Sequence, residues 1–391
     1  MKKKILVVGE YYSENLGDGV ICDNVNYILS SAFPNSEVKI ADIMGRTDFI
    51  DSSEYTNSVF ISNRPTREKL KNYLVNKQGK GLGYIYERLV YRKWEKEREE
   101  GLANIRDVLQ EKFDLVVFAG GQLLYEPFVI PIEEHIKILS KNNTPMIFNG
   151  CGIGAFNNKY ILSRFNKALN NPNIKSITVR DYVDEVNEKI LVNNSIKAKK
   201  TSDPALWTKE TYGIPEAQSR KKIGLGIIHR NNPDFMEKQK ELYKELIFLL
   251  ETLGQEWELF CNGELVDQEF AYMLMQELNL PKSNVAVRST RPSELVELIA
   301  SYDSIISFRL HSHIIATSLR VPSIGMTWDK KVKFFFESFN NGSRCFSVDS
   351  KAEDIIKKLG EINAQPLDGD ILLDSKIELE NILISEVSKY I

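Results

Sequence analysis

The chain has 391 residues, 42% of them hydrophobic and 27% charged, with a formal net charge of -3. That length exceeds what one hydrophobic core usually organises, so two domains are expected, and the composition excludes a disordered chain. The near-balanced charge excludes a global pull toward nucleic acid, so any anion binding must be local.

The opening MKKKILVVGE carries a positive start, but its apolar run covers only residues 5–8 before Gly9 and Glu10. It reads as a first β-strand rather than a secretory signal. No later run approaches the roughly 18 apolar residues of a membrane-spanning helix, so a cytoplasmic protein is expected. Cys22, Cys151, Cys261 and Cys345 stand far apart with no Cys-x-x-Cys. They suggest buried free thiols rather than a disulfide framework or a zinc knuckle.

After the first strand comes the loop Glu10 to Gly19, leading into the helix VICDNVNYILSSAF. Its glycines permit close approach of a ligand to a helix N-terminus. The loop lacks the Gly-x-Gly-x-x-Gly dinucleotide fingerprint, although Asp42 after the next strand, EVKIADI, imitates the ribose-binding acid of that motif, and no Gly-Lys-Ser/Thr makes it a P-loop. Residues 64–98, rich in lysine, arginine, tyrosine and tryptophan, read as an insertion before the third strand. Two readings stay open for it: a solvated helical excursion, or a basic, aromatic surface that meets an anionic or lipid-linked acceptor at the membrane interface, in peripheral contact with the inner face of the membrane.

The strands FDLVVFAGG, TPMIFNG and IKSITVRD follow, and each ends in a motif: Gly120-Gly121-Gln122, Gly150-Cys151-Gly152-Ile153-Gly154, and Arg180-Asp181. Asp203-Pro204-Ala205 reads as a turn and helix cap. The polar stretch TKETYGIPEAQSRK, residues 208–221, sets a domain boundary that divides the chain into residues 1–212 and 213–391. The same β-α-β grammar then repeats through IGLGIIHR, EWELFC, NVAVRS, DSIISF and VPSIGM. Asn232-Pro233 supplies an N-cap and first-turn proline for a helix ending near Gly254. Continuous apolar runs alternating with helices predict an α/β protein: two Rossmann-like domains facing a cleft at their strand ends.

Strand DSIISF ends in Arg309-Leu310-His311-Ser312 and a helix follows at once; VPSIGM delivers Trp328, Asp329, Lys330 and Lys331 to an equivalent place. Singly, such an arginine or histidine is explained by an ion pair or a helix cap. Clustered at strand ends, they point to a phosphate or carboxylate ligand. Arg180 is expected to face Arg309 across the cleft. His311 and His313 do not read as a metal pair, because no third ligand stands nearby and a two-residue spacing diverges on a helix.

The ordered set Asn15-x-Gly17-Asp18, Gly120-Gly121, Gly152-Ile153-Gly154, Arg180-Asp181, Asp203-Pro204-Ala205, Arg309-Leu310-His311-Ser312 and Asp329 to Val332 resembles the polysaccharide pyruvyl transferase family, from Gly9 to about Phe339. The resemblance implies a fold like that of the type B glycosyltransferases and pyruvyl transfer from phosphoenolpyruvate, as a ketal, to a sugar of a surface polysaccharide. It implies that Arg180, Arg309 and His311 contact the donor and carry catalysis, and that Lys331 lies near the nucleotide or phosphate of the acceptor. Asn15, Gly17, Asp18, Gly120, Gly121, Gly152, Gly154 and Ser312 would line the substrate sites. Gln122 stands where the family commonly has a third glycine, and Asp184 where a serine often follows the Arg-Asp pair. The expected partners are phosphoenolpyruvate and a nucleotide-linked or lipid-linked sugar, with no metal, cofactor or nucleic acid. Arginine cannot give up its proton efficiently, whereas histidine titrates near neutrality, so His311 is the expected general acid. A nucleotide-sugar glycosyltransferase and a non-catalytic sugar-binding relative are the alternatives.

Overall fold

Most of the short apolar runs become strands, the central ones buried on both sides, and the computed structural model arranges them in two parallel sheets, each in its own unit. It describes residues 2–50, 82–192, 195–215, 222–362 and 365–391. Residues 64–81 of the expected insertion and 216–221 of the expected linker lie outside the described residues.

The first unit comprises Met1–Tyr12, Leu29–Thr201 and Ile382–Ile391. Its six strands are β1 (Lys4–Gly9), β2 (Glu37–Asp42), β3 (Leu115–Ala119), β4 (Met146–Cys151), β5 (Ile174–Val179) and β6 (Lys199–Lys200), in the spatial order β2-β1-β3-β4-β5-β6. All neighbours run parallel, and Val7 stands between Ile40 on one side and Val117 on the other. From β1 the chain winds one way to β2 and the other way to β3, so their following loops diverge and leave a crevice at the strand ends. The two-residue strand β6 was not legible, because both its lysines are exposed and carry no apolar pattern.

Helix α1 (Leu16–Ala32) follows β1, α2 (Leu82–Glu97) and α3 (Glu99–Val108) precede β3, and α4 (Val129–Lys141) and α5 (Lys159–Leu169) cover later crossovers. The Asn158 carboxamide caps α5 by accepting from the Ile161 N–H at 3.0 Å. In α2, Tyr91 is only 5% exposed. Its ring packs edge-on to Tyr160 beneath the Arg164 guanidinium, and Trp94 is half-buried against the same core. Tyr91 and Trp94 therefore anchor the helix instead of facing outward, while Arg88, Arg92, Lys93 and Lys96 remain exposed.

The second unit comprises Ser13–Ile28 and Ser202–Asn381. Strands β7 (Ile223–Gly226), β8 (Trp257–Phe260), β9 (Ser304–Ser307), β10 (Ser323–Thr327) and β11 (Cys345–Ser347) form a parallel sheet in the order β11-β10-β9-β7-β8. Its longer helices are α6 (Pro233–Thr252), α7 (Leu265–Glu277), α8 (Pro292–Ser301), α9 (Leu310–Ser318), α10 (Lys330–Ser338) and α11 (Ala352–Glu361), and α12 (Gly369–Val387) begins in this unit and ends in the first. The cap read at Asn232 is present, its side chain accepting from the Phe235 N–H at 3.2 Å. Here the direction of winding reverses between β7 and β9, so the loops after these two strands leave a crevice at the strand ends of this sheet.

Three expectations are corrected. NVAVRS is not a strand: Val285 makes an isolated bridge to Leu259, and the Ala286 carbonyl is taken by the Gln268 carboxamide at 3.0 Å instead of by a neighbouring strand. The first helix begins at Leu16, not Val20, so Gly17 and Asp18 belong to its first turn. The units also do not divide at one point near residue 212. Residues 13–28 pack with the second unit, where Leu16 N–H donates to the Asn262 carbonyl at 3.0 Å and the Asn24 carboxamide to the Pro204 carbonyl at 3.0 Å. Among the described residues no helix is long and apolar enough to cross a membrane.

Candidate functional site

The motif Arg309-Leu310-His311-Ser312 occupies the turn from β9 into α9 in the second unit. Arg309 is extended, with φ -87° and ψ 123°, and its side chain does not cap the helix. A hydrogen-bonded chain fixes the turn. The Arg309 N–H donates to Ser307 Oγ at 3.2 Å, Ser307 Oγ to Ser312 Oγ at 3.2 Å, and Ser312 Oγ to Asn262 Oδ1 at 2.8 Å. Asn262 follows β8, so its amide ties that strand to α9, while its carbonyl accepts the Leu16 N–H and holds the start of α1.

This junction explains Gly17. A Cβ there would stand 2.3 Å from His311 Nδ1 and 2.4 Å from His311 Cβ and Cγ. The room that the sequence reserved for a ligand is filled by the His311 side chain, itself only 6% exposed. Asn15 and Asp18 are joined by a bond from Asn15 Nδ2 to Asp18 Oδ2 at 2.8 Å, and the Asp18 N–H returns to the Asn15 carbonyl at 3.0 Å, so they brace the first turn of α1.

Arg309 is gripped by two carboxylates. Asp267, on α7 and without side-chain exposure, takes Nε at 3.1 Å and Nη2 at 2.5 Å through Oδ2. Glu264 accepts from Nη1 at 2.8 Å through Oε1, and its Oε2 lies in ion-pair contact with Nη2 at 2.7 Å. Burial pushes the Asp267 carboxyl up to about 6 although Arg309 and the His229 N–H favour its charge, and the Glu264 charge adds to the rise. Arg309 stays cationic: burial opposes its charge, and the two carboxylates outweigh burial.

His313 points to the same turn from the far side of α9. Its Nε2 meets the Ser307 carbonyl at 2.8 Å and its ring lies edge-on to Phe336. Complete burial pulls it down to about 4, so it is a neutral packing residue at physiological pH. The loop after β10 places Asp329 as the cap of α10, accepting from the Lys331 N–H at 2.9 Å. Trp328 beside it carries the Arg230 guanidinium 3.8 Å from its ring centroid. Asp203 accepts from the Ala205 N–H at 2.9 Å, as its cap role requires.

The remaining motif residues gather in the first unit. Gly120 and Gly121, with φ of +47° and +63°, make the turn after β3. The Gly152 N–H donates to the Gly121 carbonyl at 2.6 Å and the Gly154 N–H to the Leu124 carbonyl at 2.9 Å, which joins the β3 and β4 loops. Gln122 adds a bond to the Ile153 carbonyl at 2.9 Å. Arg180 lies over Gly152, where a Cβ would come within 2.9 Å of its Nη2, and faces Asp181 at 3.9 Å. Burial pushes the neighbouring Cys151 thiol up to about 12, so it supplies no thiolate. A separate groove of about 440 Å³ lies among α2, α3, α4 and α5. Three of the carboxylates lining it are already matched, Glu133 by Arg164, Glu134 by Arg106 and Lys137, and Glu99 by Arg106.

The structure brings together Arg309, His311, Ser312, Asn15, Gly17 and Asp18 in one cluster, and Arg180 with Gly120, Gly121, Gly152 and Gly154 in the other. Asn262, Glu264 and Asp267 were missed. The signal was the Asn-Gly pair at the end of EWELFC, followed by acids three residues apart at a helix start. Among the described residues no group of three or more His, Cys, Asp or Glu is placed to hold a metal.

A family model described as polysaccharide pyruvyl transferase matches residues 15–330. A search of curated proteins returns no match. Among solved structures, the UDP-GlcNAc 2-epimerase from Methanocaldococcus jannaschii has a TM-score of 0.58 at 12% identity, with 100% of each chain covered. The UDP-GlcNAc 2-epimerase from Neisseria meningitidis bound to UDP-GlcNAc has 0.55 at 12%, again with 100% of each covered. The S. aureus MnaA complex with UDP has 0.53 at 10%, covering 100% of this chain and 97% of that one. At such identities the likeness is one of fold: two Rossmann-like domains, as in the type B glycosyltransferases.

Proposed function

The chain belongs to the polysaccharide pyruvyl transferase family, and on that premise we propose that it moves pyruvate from phosphoenolpyruvate to a sugar of a surface-polysaccharide precursor, forming a ketal and releasing phosphate. The observation that carries the reading is the second-unit junction, where His311 is seated on Gly17 two residues beyond Arg309 at the end of β9.

The reaction needs a clamp for an anionic donor, an acid for its methylene carbon, and two aligned sugar hydroxyls. Arg309, at the N-terminus of a nine-residue helix, offers a fork for carboxylate or phosphate, and the helix end favours the same charge. Arg180 is the second guanidinium that we assign to the donor. His311 serves as the acid: its proton goes to C3 of phosphoenolpyruvate, the C2=C3 pair forms the new C–H bond, and C2 becomes electrophilic. One sugar hydroxyl adds to C2, the C2–O bond to phosphate breaks with its electron pair, and the second hydroxyl closes the ketal. Of the two hydroxyl protons, one returns to His311 and one leaves with phosphate. Lys331 is assigned to the phosphate of a nucleotide-linked or lipid-linked acceptor. The reaction is proposed as cytoplasmic and independent of metal and organic cofactors; the wild-type rate persisting in EDTA is its check.

Phosphate release from phosphoenolpyruvate, measured across nucleotide-linked and lipid-linked sugars, tests the reading. Release that depends on one sugar class, with a pyruvylated product, supports it. The fold alone also suits nucleotide-sugar chemistry, so sugar transfer or epimerisation without phosphoenolpyruvate would replace it.

A further inference from the structure

The two carboxylates on Arg309 hold different parts of the guanidinium. Asp267 grips the side edge, Nε and Nη2. Glu264 covers the end, accepting from Nη1 through Oε1 and lying in ion-pair contact with Nη2 through Oε2. The end of the guanidinium is where an arginine can receive a carboxylate or phosphate in two parallel hydrogen bonds. With both edges taken, an incoming anion can reach the fork only by replacing a carboxylate.

Their settings decide which one leaves. The Asp267 side chain has no exposure and also accepts the His229 N–H at 2.6 Å, so stripping it from Arg309 would strand a buried charge. The Glu264 side chain is 30% exposed and makes no capping bond to α7, although it stands at the N-cap. It follows Gly263, whose φ of +107° and close approach to the Glu14 carbonyl fix the turn that aims it. Released from Arg309, Glu264 can rehydrate without uncapping the helix.

We propose that Glu264 is a displaceable placeholder, occupying the end-on fork of Arg309 until the anionic group of the donor takes it, while Asp267 holds the guanidinium in place throughout. The inference rests on the reading of Arg309 as a donor-binding residue. The placeholder keeps a buried cation neutralised in the empty site and sets a threshold on anion binding, since apparent affinity falls by the fraction of molecules in which the fork is open.

Phosphoenolpyruvate binding to the full chain, measured by calorimetry, tests it with two variants. Glu264→Gln weakens the fork and Glu264→Asp keeps the charge but withdraws it by one methylene. Both are expected to bind phosphoenolpyruvate about tenfold more tightly than wild type, the scale of one charge-assisted hydrogen bond. Tightening in Glu264→Gln with wild-type affinity in Glu264→Asp would overturn the placeholder in favour of plain charge repulsion. Unchanged or weaker binding in both, with near-native melting, would make the pair structural and overturn it outright. If wild type and both variants, all folded by thermal melt, fail to bind phosphoenolpyruvate, the donor assignment itself falls. Wild-type binding with no tightening leaves that assignment standing and removes only the placeholder.

Discussion

Gly17→Ala perturbs the junction of α1 and α9 with a single methyl group. That methyl would sit 2.3 Å from His311 Nδ1 and 2.4 Å from two further atoms of the residue, against an ordinary carbon contact of about 3.5–4.0 Å, so more than 1 Å must be found. Neither helix can yield freely, because Leu16 at the head of α1 and Ser312 on α9 are both bonded to Asn262. Overpacking of this kind costs about 1–3 kcal/mol. For a unit of this size each kcal/mol lowers the melting temperature by about 2–4 °C, giving a fall of roughly 2–12 °C. A catalytic ring displaced by about 1 Å should also lose on the order of 100-fold in turnover. The assay is thermal melting with single-turnover pyruvyl transfer for Gly17→Ala, His311→Gly and the double variant. Removing the whole side chain, Cβ included, should restore much of the stability lost to the methyl group, without restoring activity. Wild-type melting and turnover in Gly17→Ala, with additive effects in the double variant, would refute the packing of His311 on Gly17.

Arg309→Lys keeps the charge but loses the planar fork, so the Michaelis constant for phosphoenolpyruvate should rise about tenfold or more; an unchanged constant removes Arg309 from the donor site. Buried His135 and His313 are both pulled down to about 4 by desolvation, whereas in the unfolded chain they titrate at 6.5. The unfolded state therefore takes up protons first, and stability should fall as pH drops from 6.5 toward 4, by up to about 3 kcal/mol per histidine. Denaturant titrations across that window, with His135→Gln expected to flatten the slope, check the sign and source. If the exposed Arg88, Arg92, Lys93 and Lys96 meet an anionic membrane surface, changing all four to Gln should lower binding to phosphatidylserine vesicles at least tenfold. Unchanged sedimentation with vesicles restores the solvated-face reading.

Most of the fold was legible because parallel strands buried on both faces leave unbroken apolar runs, and KILVVG and DSIISF mark β1 and β9 to within one or two residues. NVAVRS looked the same but lost its carbonyl to Gln268, a tertiary event that no local pattern records. The lysine-only strand β6 carried no apolar signal at all. In the site, charged residues at strand ends were visible as such, since chain order sets which loop follows which strand. The partners of Arg309 were not, because Glu264 and Asp267 reach it from a helix more than forty residues earlier in the chain. Gly17 was legible as a close-approach position, yet only packing revealed that the approaching group is His311.

The central claim is that His311 delivers the proton that activates the donor, and single-turnover ketal formation by His311→Gln at saturating phosphoenolpyruvate tests it most directly. Glutamine can fill the space over Gly17 and hydrogen-bond, but it cannot give up a proton. The account predicts a folded variant with near-native affinity for phosphoenolpyruvate and a rate lower by about 100-fold to 10,000-fold. A variant that transfers pyruvate at the wild-type rate would contradict it.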